Sequence, residues 1–361
     1  MAADNRISQG AGISSREEAA ERYSKMRRKR SRSGFLKAFL VLLLLAGIGG
    51  VAWGANYIAH INETLSEGLE ETGLREQLSI REKGQPFYML LLGIDKDSER
   101  MVDPEYGEED YNYRSDSIML ARIDPQKPSV TLLSIHRDIM TDMGEWGTQK
   151  LNASYTFGGP SYVVEVVSKF CGVPISHYAE VDMDRFTAIV DQVGGITVNL
   201  PVDVIDPEYT GLNLAAGEHT LDGHTTALLC RARHAYDNYG DGDVYRAANQ
   251  RNVISAIVKK VLRTDPLTMT SLVSTLAESV RTDMDVATIL ALADEMRGLN
   301  VDTDVYSAMT PTGGYLIDGI WYELVDEEQW VKMMERTRAG LPPYDEDDVD
   351  YSQGIAAESA E

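Results

Sequence analysis

Apolar positions along this chain fall into blocks whose lengths and spacing differ. The longest, Ala38–Ile58 (AFLVLLLLAGIGGVAWGANYI), contains no charged residue. As a helix it would run about 30 Å, the thickness of a bilayer core, so a membrane-spanning helix is predicted over 38–58. Just before it stands KMRRKRSRSGFLK, with Lys25, Arg27, Arg28, Lys29, Arg30, Arg32 and Lys37. The positive-inside rule places residues 1–37 in the cytoplasm and everything after the span on the outer side of the cell membrane. The long apolar run and long basic flank fit an uncleaved signal-anchor better than a cleaved signal peptide, although Ala52–Ala55 could mimic a cleavage site.

Residues 59–85 are charged, with a thin leucine stripe at Leu65, Leu69 and near Leu74, and read as a short helical stalk. The globular part, 86–341, opens with FYMLLLGI, a continuous apolar run of the kind found in strands buried on both faces. SIMLARI (117–123) and SVTLLSI (129–135) are two more strands, separated by the turn DPQKP. Pro160, after Gly158 and Gly159, opens a helix with Val163, Val164, Val167 and Phe170 at helical spacing, closed by Gly172.

HYAEVDM then reads as a strand, DRFTAIVDQVGG as a helix and ITVNLPV as a strand. A short helix over 222–229, a long one over 243–263, and helices around 266–280 and 285–299 follow. A strand pair near 305–322 and a helix at 327–338 complete the domain. Such alternation predicts an α/β fold, a central mixed β-sheet with helices on both faces. Residues 342–361, with seven acids and no base, read as a disordered tail.

Charge sharpens this picture. Residues 1–37 carry ten Lys and Arg against four acids, so the chain's net charge of -23 is +6 there and -29 over the remainder. A field of that sign repels polyanions and excludes nucleic acid as a partner. The two cysteines, Cys171 and Cys230, lie in apolar runs and read as buried free thiols.

The motifs required for ATP-driven, zinc-protease and serine-hydrolase chemistry are missing, and His136-Arg137-Asp138 lacks the other parts of a kinase. What remains is a set of charged residues at strand ends, where α/β folds build their sites. Asp95 follows LLLGI, Asp116 precedes SIML and Arg137 follows TLLSI. Antiparallel neighbours would bring the two aspartates to one rim, where hard oxygen donors suit Mg²⁺. Arg231, Arg233, Arg246 and Arg251 crowd into 23 residues, as either a phosphate-binding fork or a set of structural ion pairs.

LLLGID, YRSDSIML, LLSIHRD, KLNASYTFGGP, HYAEVDMDRFTAIVDQVGGITVNLP, LAAGEHTLDGHTTALLCRAR and GDVYRAANQ occur in that order. Over roughly residues 87–262 this series resembles the LytR-CpsA-Psr (LCP) family of bacterial cell-wall enzymes. The resemblance implies a phosphotransferase. It would move an anionic glycopolymer, such as teichoic acid or capsular polysaccharide, from a polyprenyl-pyrophosphate carrier to peptidoglycan as a phosphodiester. It also implies Asp95 and Asp116 as Mg²⁺ ligands, and Arg114, Arg137, Lys150, Arg231, Arg233, Arg246 and Gln250 as pyrophosphate ligands, with Arg137 catalytic.

Three positions depart from the family pattern: Asp97 and Asn249 stand where arginine is common, and His136 where proline is. Two rival readings use the same residues. One is a pyrophosphatase acting on the same carriers, the other a non-catalytic wall-polymer binding module. An apolar slot between helices and sheet is expected for the prenyl chain, its lining not distinguishable from core in the sequence.

Overall fold

A computed structural model describes residues 54–95, 114–182, 186–238, 242–261, 263, 275 and 277–345. Residues 38–53 of the membrane span predicted over 38–58, the acidic segment Asp97–Asn112 and residues 346–361 lie outside these. No helix among the described residues is long and apolar enough to cross a membrane. Residues 54–60 are helical and belong to a unit separate from Ile61–Glu361, the body described next.

After helical residues 61–65 and a 3-10 turn at Glu70–Thr72 come a short helix α1 (Leu74–Gln77) and strands β1 (Phe87–Asp95), β2 (Arg114–Asp124), β3 (Ser129–Ile135), β4 (Met140–Asp142) and β5 (Thr148–Lys150). Helix α2 (Ala153–Cys171), β6 (His177–Asp182), α3 (Phe186–Gln192), β7 (Ile196–Leu200), β8 (Val204–Asp206), β9 (Leu212–Leu214) and β10 (Gly217–Leu221) come next. The chain continues through α4 (Gly223–Arg231), α5 (Gly242–Val261), β11 (Val280–Thr282), α6 (Val286–Glu295) and α7 (Val301–Asp304). It closes with β12 (Val305–Met309), β13 (Thr312–Ile317), β14 (Ile320–Val325) and α8 (Glu327–Arg338).

Six strands form one mixed sheet in the order β11-β6-β1-β2-β3-β12. Its central strands fill both faces with apolar side chains, as their unbroken hydrophobic runs require. Leu90, Leu92, Leu120 and Leu133 meet Val163, Val167 and Met334 of α2 and α8. On the opposite face Met89, Ala121, Leu132 and Ala179 meet Ile254, Ile289 and Leu292 of α5 and α6. A third apolar cluster, with Val190, Val198, Leu221, Leu229 and Val253, joins α3, β7, β10 and α4 to α5. The expected α/β architecture with helices on both faces is therefore present.

Five expectations change. Leu65, Leu69 and Leu74 are buried, the last two in the core against α2, so 61–78 is packed domain surface rather than a stalk. Residues 153–157 are helical as well, and the break lies at Gly158–Gly159. Gly159 has φ +62, a left-handed conformation that only glycine adopts without strain, before Pro160 restarts the helix.

Val280 starts the edge strand β11 rather than ending a helix, and the expected strand pair over 305–322 is three strands. β12 joins the main sheet beside β3, while β13 and β14 form a separate hairpin. The first tail residues are docked: Arg336 donates to the Pro342 carbonyl (2.8 Å), and Asp345 pairs with Lys332 (3.2 Å) and Arg336.

Candidate active site

β1 runs parallel to β6 and β3 parallel to β12, while β2 is antiparallel to both β1 and β3. The C-terminal ends of β1, β3, β6 and β12 therefore share one edge of the sheet with the start of β2. Asp95 pairs in register with Arg114, and the register shifts at Gly93/Ile94, leaving Asp116 as the extra residue of a β-bulge between Ser115 and Ser117. Bulges of this kind re-aim a residue at a sheet edge. Antiparallel pairing thus brings the two aspartates to one rim, as the sequence predicts.

Arg137 follows β3 on a loop held from both sides. Its carbonyl accepts from the Asn152 amide (3.0 Å), the Asp138 carbonyl from the Glu323 amide (2.9 Å), and the Ile139 carbonyl from the Leu151 amide (2.9 Å). The Arg137 Nε lies 3.3 Å from Asp243 Oδ2 and 3.9 Å from Asp138 Oδ2. Asp243 also pairs with Arg246 Nη2 (3.4 Å), one turn further along α5, and Asp138 with Lys150 Nζ (3.1 Å). Three cations and two carboxylates therefore alternate, with an excess of one positive charge on groups largely shielded from water. Asp138 and Asp243 link the two guanidiniums and the ammonium into one chain of ion pairs.

Ser134, His136, Arg137, Asp243, Arg246 and Gln250 line a narrow polar pocket at this edge. Ser117 and Gln250 also line a second cavity of about 250 Å³, walled by apolar side chains such as Leu91, Met119, Val181, Val253, Ile254 and Ile257. This is the slot between helix and sheet expected from the sequence. Ser117 and Gln250 line both the polar pocket and the apolar cavity, and Gln250 Nε2 donates to the Cys230 carbonyl (3.0 Å).

The arginine cluster divides. Arg246 reaches the pocket, whereas Arg231 and Arg233 are exposed at the end of α4 and just beyond, outside the pocket lining. Arg233 Nε points to His234 Nε2 at 3.3 Å. Gly242 lets α5 begin against this segment, since a Cβ there would stand 2.5 Å from the Arg233 carbonyl oxygen.

Arg251 is wholly buried, and its Nη1 donates to Ser134 Oγ (2.7 Å), tying α5 to the end of β3. Its position off the Arg246–Gln250 face signalled a different environment, but not burial. Asn249, at a family arginine position, donates to the Tyr236 hydroxyl inside the protein (2.6 Å), and buried His136 accepts the Asp138 amide on Nδ1 (3.2 Å). Both cysteines are free and buried, and burial pushes the Cys230 thiol up to about 12.

The backbone brings Asp95 and Asp116 to one edge of the sheet, and their carboxylates are the hard oxygen donors that a divalent cation takes. Among the described residues, no group of three or more His, Cys, Asp and Glu side chains is placed to hold a metal ion.

Residues 54–339 match the model of the LytR_cpsA_psr family. The chain is 28% identical over 306 residues to the polyisoprenyl-teichoic acid–peptidoglycan teichoic acid transferase TagU of Enterococcus faecalis, covering 84% of this chain and 95% of that protein. It is 31% identical over 306 residues to the protein of the same name from Bacillus mycoides, covering 81% and 93%. The crystal structure of Bacillus subtilis TagV, 24% identical, superposes with a TM-score of 0.60 over 72% of this chain and 98% of that one, a likeness of fold.

Proposed function

The chain belongs to the LytR_cpsA_psr family, and from that premise we propose that it transfers an anionic glycopolymer from a polyprenyl-pyrophosphate carrier to peptidoglycan as a phosphodiester. The observation that carries this reading is that the cation-lined pocket and the apolar cavity are neighbours sharing two lining residues, Ser117 and Gln250. A ligand filling both needs an anionic head and an apolar tail joined directly, as in a polyprenyl pyrophosphate. The relatives named as teichoic acid transferases are matched over nearly their whole length, which supports the same reaction class.

In the reaction an acceptor hydroxyl oxygen attacks the phosphorus that bears the glycopolymer. The bridging P–O bond breaks and polyprenyl phosphate leaves. Negative charge builds on the bridging and leaving oxygens, so positioning and electrostatic stabilisation do most of the work in such transfers. Arg137 and Arg246, pre-oriented by Asp243, present guanidiniums to that charge, and Lys150 adds a third cation. Gln250 stands at the junction of head and tail. Asp95 and Asp116 would hold Mg²⁺, which supplies neutralisation of pyrophosphate charge when bound.

Arg114 stands in register with Asp95 at the same sheet edge, while Arg231 and Arg233 would have to swing in from solvent to reach the substrate. The uncharged span over 38–58 would anchor the protein with its catalytic domain outside the cell membrane, keeping the apolar cavity near its lipid substrate. The test is to incubate the full-length protein in detergent with lipid-linked glycopolymer, Mg²⁺ and peptidoglycan oligomers. Phosphodiester-linked product should form, and fall at least tenfold with Arg137→Ala, in line with the roughly 1.5–3 kcal/mol of one charge-assisted contact. Polyprenyl phosphate released without linked product would refute transfer to peptidoglycan.

A further inference from the structure

The hairpin β13–β14 grows from the wall of the polar pocket. Met309, the last residue of β12, lines that pocket with Arg137 and Arg246, and β13 starts soon after at Thr312. On the return strand the Glu323 amide donates to the Asp138 carbonyl (2.9 Å), and Glu323 forms a parallel bridge with Ile139. Asp138 is the carboxylate that faces Arg137 and Lys150. Because the bridge is parallel, stepping back from Glu323 to Trp321 follows the same direction as stepping back from Ile139 to Arg137. Two residues of strand, one interstrand spacing and one further residue hold the backbones of Trp321 and Arg137 within roughly 16 Å.

Trp321 is exposed yet fixed. Half of it, 52%, is open to solvent. Pairing of Gly314 with Glu323 and of Leu316 with Trp321 puts these four residues on one face of the hairpin. The indole lies over Gly314, where a Cβ would stand 2.2 Å from ring carbon Cζ2, and its Nε1 donates to Glu323 Oε1 (3.2 Å). The ring does not serve to cover its cross-strand neighbour, since Leu316 is 68% exposed. Glu323 is 4% exposed, and the Trp321 indole is its side chain's only hydrogen-bond partner among the described residues. A carboxylate with two oxygens keeps acceptor capacity beside the ring after that one bond.

A flat indole flanked by a carboxylate matches a sugar ring, which presents an apolar C–H face and hydroxyl donors at its rim. Residues 312–328 carry Asp318, Glu323, Asp326, Glu327 and Glu328 and no Lys or Arg. That sign disfavours an anionic donor polymer and offers nothing to the phosphates of lipid headgroups, which leaves an uncharged ring as the occupant.

We propose that Trp321 is the stacking platform of an acceptor subsite, which seats an uncharged sugar ring of the acceptor glycan on the indole, with Glu323 accepting from its hydroxyls. The assignment rests on the transfer reaction proposed above. Neither residue lines the polar pocket or the apolar cavity, so a glycan held here does not compete with the donor.

The probe is a β-1,4-linked N-acetylglucosamine tetrasaccharide, titrated calorimetrically into the full-length protein in detergent, with lipid-linked donor titrated in parallel. Trp321→Leu keeps apolar bulk but loses the flat face, and should weaken the tetrasaccharide roughly tenfold or more. Trp321→Phe keeps a flat face and should stay within about threefold of wild type. Gly314→Ala displaces the indole without altering it, and should also weaken the tetrasaccharide by about threefold or more. Donor affinity should stay within about twofold in all three variants. Wild-type protein that does not bind the tetrasaccharide would overturn the assignment. So would Trp321→Leu that binds it as wild type, the result expected of a membrane or protein contact that needs only apolar surface. Parallel loss of donor and tetrasaccharide would also overturn it, by placing the ring on the donor or making it structural. Tetrasaccharide binding that follows the variants, in a protein that makes no linked product, would support the platform and refute the transfer reaction instead.

Discussion

Asp243 is the hinge of the charge network at the level of single residues, because one carboxylate oxygen faces both Arg137 and Arg246. Asp243→Asn keeps the shape but releases both guanidiniums. Turnover should fall roughly ten- to a hundredfold with little change in Tm, which single-turnover assays and thermal melts would check. Arg251 behaves differently, being buried behind the pocket on Ser134. Arg251→Ala leaves a cavity and a Ser134 hydroxyl without this partner, and should destabilise the protein by about 2–4 kcal/mol in a urea melt.

Cys230 supplies a pH-dependent observable. Its folded pKa, near 12, lies above the roughly 8.5 of a free thiol, so its contribution to stability is complete below about pH 8.5 and is lost as pH rises toward 12. A thiol reagent at pH 8 should label neither cysteine until the protein is unfolded.

Among the elements, what the sequence made legible was the part governed by local pattern. β1, β2 and β3 announce themselves by unbroken apolar runs, and the short motifs fall where the structure puts Asp95 and Asp116 at one sheet edge and Arg137, Arg246 and Gln250 along one pocket. What stayed hidden depended on contacts distant in sequence. VYSAM in β12 looks like half of a hairpin, yet it pairs with Val130–Ser134, more than 170 residues earlier. Leu65, Leu69 and Leu74 form too thin a stripe to declare a core, and only the face of α2 reveals where they go. Arg231 and Arg233 are near Arg246 in the sequence, but they sit exposed at and just beyond the end of α4, outside the pocket lining. Arg251 is charged, and no periodicity reports a buried guanidinium.

Helix α5 carries both halves of the proposed donor site, with Arg246 and Gln250 in its early turns and Val253, Ile254 and Ile257 further on. Ile257→Trp would fill the apolar cavity without touching the charges. KM for a long-chain donor should rise severalfold while that for a water-soluble short-chain analogue stays constant.

Over the whole molecule, a net charge of -29 beyond residue 37 surrounds a small basic pocket. Such a field slows approach of a polyanion and is relieved by salt. Donor association should therefore quicken moderately between low and physiological ionic strength, a trend stopped-flow fluorescence would detect. The decisive comparison concerns whether one amphiphile spans both cavities. Affinities of the full-length protein for a polyprenyl pyrophosphate, for inorganic pyrophosphate and for the matching polyprenol should be measured under one condition. Joined head and tail should bind at least a hundredfold more tightly than either part, with Arg246→Ala weakening the head and Ile257→Trp the tail. A polyprenyl pyrophosphate that binds no better than pyrophosphate, and ignores Ile257→Trp, would contradict a continuous lipid-pyrophosphate site.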